Sequence, residues 1–162
     1  MAAPAITASV RYTSRGATKF YWLPAAADPA APTRTEMDAG TDLSPQIADS
    51  SGWSVSSSMI ETPDLASRYT STIPGTISAD DSSLTFYMSR DGVDARALMP
   101  RDETGFILIL DGGDVAANKM DVFPVTVSSH SKQRSVQGSD ADTLVISYAI
   151  TSEPSENVAV PV

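Results

Sequence analysis

The residue types that do chemistry are thinly spread along this chain. Asp80-Asp81 is the nearest approach to an acidic pair. General acid–base work needs two carboxyls that face one substrate with their pKa values pushed apart. Neighbouring residues of a regular strand point to opposite faces, so the pair reads as a turn or a solvated strand start. Asp111-Gly112-Gly113-Asp114, with Asp121 further on, offers oxygens of the kind calcium takes. It lacks the alternating ligands and the distal bidentate Glu of an EF-hand loop, and a hairpin turn is the simpler reading. His130 is the single histidine, set among Ser128, Ser129 and Ser131 in what reads as a polar loop. No Gly-x-Ser-x-Gly elbow accompanies it to build a hydrolytic triad. Lys119, Lys132 and Arg134 suggest a small basic patch, but three cations on an acidic chain read first as a solvated face or as salt-bridge partners of another subunit. Phe20, Tyr21 and Trp22 have the flat faces that stack bases or sugars, with core or interface packing as the default. None of this supports catalysis, a metal or a cofactor, and the chain is not expected to be an enzyme.

The composition narrows the field further. At 162 residues and 41% hydrophobic content, the chain is expected to form one domain with a real core. There is no cysteine, so disulfides, thiolate zinc sites and cysteine nucleophiles are excluded. No apolar run approaches the roughly 18 residues a bilayer span needs; the longest is Phe106 to Leu110. No basic-then-apolar leader opens the chain. The expectation is a soluble protein made in a cytoplasm, with no membrane partner. The net charge of −9 disfavours tight DNA binding, which needs Lys and Arg clustered against phosphates.

The elements that must carry these residues read as mostly extended. Residues 1–16 are small and polar without a sustained period, an N-terminal arm. Lys19 to Leu23 is aromatic-rich and strand-like, and Pro24 to Pro32 is a connector. Thr33-Arg34-Thr35-Glu36 matches a capping box, and Gly40 stops a helix of barely two turns. Thr41 to Ile47 is extended and broken at Pro45. Asp91 suits the N-cap of a second short helix carrying Val93, Ala97 and Leu98 and ended by Pro100. Phe106 to Leu110 is apolar on both faces, the mark of a central covered strand. Met120 to Ser128 is strand-like, with Pro124 placing it at an edge or a bulge. Leu144, Ile146, Tyr148 and Ile150 alternate cleanly in what reads as the last strand. Residues 153–162 read as a C-terminal tail.

The block from Ser51 to Tyr87 is the most distinctive. Trp53, Val55 and Met59 interleave with Ser54, Ser56 and Ser58, and Leu84, Phe86 and Met88 with Ser83, Thr85 and Tyr87, so two half-buried strands are expected. Between them Thr62 to Gly75 reads as one long loop, bounded by Thr62-Pro63 and Pro74-Gly75. Unstructured loops beyond about 12–15 residues are uncommon unless functional or disordered, and Leu65, Arg68, Tyr69 and Ile73 are stickier than a disordered linker needs. The expected fold is mainly β: a β-sandwich or barrel of six or seven strands over residues 17–152, with one or two short helices and this long loop.

In this order of elements the chain resembles the major tail tube proteins of long-tailed bacteriophages, particularly those infecting actinobacteria. The matching stretches are Ala39-Gly40-Thr41-Asp42-Leu43, Thr62-Pro63-Asp64-Leu65, Ile73-Pro74-Gly75-Thr76 and Asp81-Ser82-Ser83-Leu84-Thr85-Phe86-Tyr87. They continue with Asp111-Gly112-Gly113-Asp114, Asn118-Lys119-Met120-Asp121-Val122-Phe123-Pro124-Val125 and Glu153-Pro154-Ser155-Glu156-Asn157.

The resemblance implies a β-sandwich that closes with copies of itself into a hexameric ring. Such rings stack into a tube that carries DNA from capsid to host, in contact with the tape measure, terminator and baseplate or tip proteins. It implies that the Thr62 to Gly75 loop, through Leu65, Arg68, Tyr69 and Ile73, reaches an adjacent ring. It also implies that the terminal arms add contacts between subunits. Assembly in the host cytoplasm and residence in the virion tail follow. Acids beside strands, Asp42, Glu61, Asp80, Asp81 and Asp121, are candidates to line a bore that repels DNA. The rival expectation is a virion decoration or carbohydrate-binding β-sandwich acting as a monomer or small oligomer.

Overall fold

The structure is a computed structural model, and the residues it describes are 3, 5–136, 138 and 140–162. Among them the chain forms β1 (Lys19–Leu23), α1 (Arg34–Asp38), β2 (Thr41–Asp42), β3 (Ile47–Ser51), β4 (Val55–Thr62), β5 (Ser71–Ala79) and β6 (Ser82–Tyr87). It continues with α2 (Ala95–Leu98), β7 (Thr104–Leu110), β8 (Lys119–Gln133), β9 (Thr143–Ile150) and β10 (Ser155–Ala159). Seven strands make one antiparallel sheet in the order β2-β1-β7-β8-β9-β6-β3, β10 adds an eighth alongside β8, and β4 and β5 form a separate hairpin. The fold is mainly β with two short helices, as the sequence implies. The sheet does not close into a barrel: β2 and β3, the ends of the path, are not hydrogen-bonded to each other. The strand count is higher than expected because three weakly patterned segments also form strands.

The alternation of β1 and β7 explains why one sheet supports two cores. In β7, Ile107 and Ile109 face one side, while Phe106, Leu108 and Leu110 face the other. Trp22 and Leu23 of β1 divide in the same way. The larger core joins Trp22 and Ile107 to Leu84, Phe86, Phe123, Leu144, Ile146 and Tyr148. The smaller joins Leu23, Leu108, Leu110, Met120 and Val122 to Met37 of α1 and to Val160. Phe106 to Leu110 is therefore the doubly covered strand its composition predicts. Gly105 lets this packing close: a Cβ there would lie 2.6 Å from the Trp22 ring.

The capping box is present, with Thr33 Oγ1 accepting from the Glu36 N–H and the Glu36 carboxylate accepting from the Thr33 N–H. The second helix differs from expectation. Its N-cap is Asp94, whose backbone is extended and whose carboxylate accepts the Arg96 N–H, while the Asp91 carboxylate accepts the Val93 N–H one turn earlier.

Pro124 marks neither an edge nor a bulge, because β8 is the central strand. β8 pairs β7 on one side and, in succession, β10 and β9 on the other. The Pro124 carbonyl accepts the Thr151 N–H at 3.0 Å. Within a strand, N–H and C=O of one residue face the same neighbour. The missing N–H of Pro124 thus faces the gap between β10 and β9, where no ladder bond is due.

Residues 153–162, expected as a tail, carry β10. Val158 and Val160 point into the smaller core, and Val160 is 2% exposed. Two valines among Ser155, Glu156 and Asn157 make too weak a pattern to read as a strand.

The long loop is also shorter than expected. β4 runs to Thr62 and β5 starts at Ser71, leaving Pro63 to Thr70 as the connection. Pro74-Gly75 reads as a breaker, yet Pro74 pairs with Met59 inside β5, beside a register shift between Ser57 and Met59. Each strand of a two-stranded hairpin has a free edge, and there proline costs no ladder bond. Trp53 is not part of β4: it sits in the preceding turn with φ of 60°, and its ring packs on Phe123 and Tyr148.

Candidate assembly surface

Several of the groups that suggested chemistry are held by a local partner. Asp80 lies in the β5–β6 turn and accepts from Ser54 Oγ at 2.5 Å, while Asp81 beside it is exposed. Asp114, in the β7–β8 turn, receives Arg34 at 2.6 and 2.9 Å and the Tyr21 hydroxyl at 3.1 Å. That is a structural ion pair. Among the described residues, no group of three or more His, Asp or Glu is arranged to hold a metal ion. His130 lies in β8, and its Nε2 meets the Met99 carbonyl at 2.9 Å. Lys119 and Lys132 sit near opposite ends of β8, some 40 Å apart in regular strand geometry, so Lys119 does not share a patch with Lys132 and Arg134. Phe20 and Trp22 pack in the larger core and Tyr21 against the smaller one.

The five acids proposed for a bore separate into two kinds. Asp42 is partly buried, which favours its neutral form, but hydrogen bonds from Ser44 and Lys19 outweigh this and hold its carboxyl low. Asp80 is tied to Ser54, and Asp121 accepts the Asn157 N–H at 2.8 Å, fastening β10 to β8. Glu61 on β4 and Asp81 have no ion-pair partner among the described residues.

The hairpin is where the sequence and the structure converge. Its tip is shaped by Asp64, whose Oδ1 accepts the Ala66 and Ser67 N–H groups, and by Ser67 Oγ, which accepts from Tyr69. This presents Leu65 and Tyr69 to solvent at 110% and 78% exposure, with Arg68 between them. Ile73 of β5 lies opposite Ile60 of β4, and both are half exposed. Gly75 permits that close pairing: a Cβ there would come within 2.8 Å of the Ile60 side chain. The structure adds Met59, Ile60 and Ile77, also exposed, to the residues read from the sequence. Met59 was missed because it was read as the inward side of a half-buried strand, and Ile60 and Ile77 because neither was assigned to a patterned element. Isolated two-stranded hairpins are marginal in water, and clustered exposed apolar side chains mark interaction surfaces.

The family model for phage tail tube proteins matches residues 6–162. The chain belongs to the phage tail tube protein family. It is thus a structural component of a virion tail, of a kind whose role is architectural. The fold of this tail tube protein is similar to that of a sheath/tube terminator of the extracellular contractile injection system PVC. The TM-score is 0.64 at 11% identity, over 93% of this chain and 97% of that one. It is also similar to the tube-terminating cap of the anti-feeding prophage, with TM-score 0.59 and 15% identity over 91% of this chain and 93% of that one. A third likeness is to a chain of the PVC sheath-tube complex, with TM-score 0.54 and 13% identity over 82% of each chain. Among curated protein sequences there is no significant match. On this tail tube fold, the hairpin is the element that stands off the sheet.

Proposed function

We propose that copies of this chain close into rings, six to a ring, that stack into a tube through which DNA passes to the host. In this reading the β4–β5 hairpin, with Leu65, Arg68, Tyr69 and Ile73 at and beside its tip, contacts the adjacent ring. The observation that carries it is the hairpin itself, unpaired on both edges and apolar where a monomer would be polar. Free edges recruit other chains and are usually blunted; here β3, β4 and β5 each keep one. A closed ring needs a heterologous interface, and a second interface between rings extends the tube.

Charge supports the same reading. With 20 acids against 11 bases, the subunit suits a wall along which a polyanion slides without sticking. Glu61 and Asp81, whose carboxylates are unengaged, are the acids best suited to face the bore. Asp42, Asp80 and Asp121 are committed to local structure and contribute to the field in a lesser way. Assembly takes place in the host cytoplasm, and the finished tube meets tape measure, terminator and baseplate or tip proteins.

Negative-stain images of the concentrated protein test this. Tubes are expected, and replacing Pro63–Thr70 by a Gly-Ser link is expected to leave a folded, soluble subunit, since loop length affects stability weakly, but no tubes. Single rings that never stack would instead indicate a terminating role like that named for the structural neighbours. Normal tubes from the shortened variant would remove the hairpin tip from the stacking contact.

A further inference from the structure

The hairpin leaves the sheet through two short links. Gly52 to Ser54 joins β3 to β4, and Asp80-Asp81 joins β5 to β6. Neither β4 nor β5 pairs with a strand of the sheet. A groove of about 430 Å³ separates the hairpin root, at Val55, Ile77 and Ser78, from Ile150 to Pro154. The direction of the hairpin is therefore set at its links rather than along its length.

The first link opens with two left-handed residues, Gly52 at φ 84° and Trp53 at φ 60°. Glycine suits that φ, and a Cβ at Gly52 would lie 2.4 Å from the Asp81 carbonyl oxygen. Trp53 has neither reason. A bulky residue rarely adopts positive φ, and it persists there only where its surroundings hold it. Here they do so from three sides. The Trp53 backbone N–H donates to Ser82 Oγ at 3.0 Å, and that buried hydroxyl donates in turn to the Asp80 carbonyl at 3.2 Å. The indole N–H donates to the Ser83 carbonyl at 3.3 Å. The ring stands edge-on to Phe123, centroids 5.3 Å apart, and 5.6 Å from Tyr148. One residue thus bonds to the start of β6 and wedges its ring onto β8 and β9. The links are also tied to each other, the Asp80 N–H donating to the Ser54 carbonyl at 3.0 Å.

We infer that Trp53 is the positioning residue of the hairpin: its indole, held against Phe123 and Tyr148, fixes the angle at which β4 and β5 leave the sheet. The tip then meets its partner surface already aimed. β5 has nine residues. That is about 30 Å of strand, so a swing of about 20° at the root would carry the tip roughly 10 Å. Apolar contact is lost beyond about 4.5 Å, so the angle decides whether Leu65 and Tyr69 engage. Ordering a mobile segment on binding also costs affinity, which a preset hairpin avoids. The angular part of this inference stands on the links alone; its consequence for assembly rests on the tube reading.

The chain has no cysteine, so spin labels can be placed in pairs. Ala66→Cys with Lys132→Cys spans tip and body, and Lys119→Cys with Lys132→Cys is a control within β8. Distance distributions are read by double electron–electron resonance on dilute, unassembled subunit, in the parent, in Trp53→Gly and in Trp53→Phe. Glycine relieves the backbone and removes the ring, whereas phenylalanine keeps a ring in the slot. The tip–body distribution is expected to be narrow in the parent, to broaden severalfold in Trp53→Gly and to narrow again in Trp53→Phe, with the control unchanged. A Trp53 that merely stabilised the core would lower Tm without widening the tip–body distance. That outcome would overturn the inference. So would a tip–body distribution already broad in the parent, a result that needs no variant to fold. The same variants, unlabelled, are concentrated and imaged in negative stain, and tube yield should fall several-fold in Trp53→Gly. Broadened hairpins that build normal tubes would overturn the link to assembly. Narrow parent hairpins that build no tubes would sink the tube reading and leave the positioning role standing.

Discussion

Arg34 grips Asp114 with both terminal nitrogens, Nη1 to Oδ1 at 2.6 Å and Nη2 to Oδ2 at 2.9 Å, across eighty positions of sequence. The same carboxylate accepts the Tyr21 hydroxyl. One carboxylate thus ties α1, the β7–β8 turn and β1 together over the smaller core. The Arg34 hydrogen bond, opposed by partial burial, holds the Asp114 carboxyl below the usual carboxylate range. Burial, then the hydrogen bond to Asp114, pushes the Tyr21 hydroxyl up to about 12.

Asp114→Asn keeps the shape and removes the charge, so it is expected to lower Tm by about 2–4 °C at neutral pH. A depressed carboxylate contributes above its unfolded pKa, near 3.9, and that contribution is lost as pH falls through the lower folded value. The gap between variant and parent should therefore close as melts are taken below about pH 4. A gap that persists at pH 2 would mean the charge was not the cause.

Tyr21→Phe tests the opposite limb. A raised tyrosine pKa contributes below the unfolded value near 10 and is lost as pH rises through the folded value, about 12. The stability difference between Tyr21→Phe and its parent is expected to be constant from pH 7 to 9 and to shrink between roughly 10 and 12. Thermal or urea melts across that range decide it.

Gly105→Ala places a methyl 2.6 Å from the Trp22 ring and 2.7 Å from the Leu23 carbonyl oxygen. Overpacking of this kind costs about 1–3 kcal/mol, read as a lower urea midpoint with unchanged slope. An unaltered midpoint would show that Trp22 has room to shift.

Two truncations separate structural ends from free ones. Removing residues 5–13 takes away no buried side chain and should leave Tm unchanged. Removing residues 153–162 strips β10 from β8 and Val160 from the smaller core, and a loss of about 2 kcal/mol or more is expected. Equal Tm for the two variants would contradict the described role of β10.

A gel-shift with duplex DNA at low salt probes the non-stick wall. Almost no binding is expected from subunit or assembled tube, because too few bases are present to release many counterions. Submicromolar, salt-sensitive binding would move the protein to a DNA-gripping role.

How much was legible follows from where apolar residues are dense. Phe106 to Leu110 announced a doubly covered strand because every position is large and apolar, and Thr33 with Glu36 announced α1 because its cap is purely local. β10 was not legible, since its pairing depends on partners distant in sequence, Met120 and Val122, and the start of β5 was not, since Pro74-Gly75 reads as a breaker although it lies within the strand. Pro74 and Pro124 misled for a shared reason: a proline marks only the direction its N–H would have faced, and the sequence does not say whether that direction holds a neighbour. The sticky residues of the hairpin tip stood out because their chemistry is out of place in a polar stretch, whereas Met59 looked like an ordinary inward-facing strand residue and Ile60 and Ile77 belonged to no clear pattern.

β8 shares its length between β7, β9 and β10, and the last of these ends at Ala159. During synthesis, Leu108, Met120 and Val122 are covered only in part, by Leu23 and Met37, until Val160 has emerged and docked. Domains fold progressively as the chain is made, so the subunit reaches its finished surface only once β10 has docked on β8. That timing delays the moment at which its edges become fit to join other copies. Limited proteolysis of released chains ending at Ser152 or at Val162 would show it as cleavage near Met120 in the first and protection in the second.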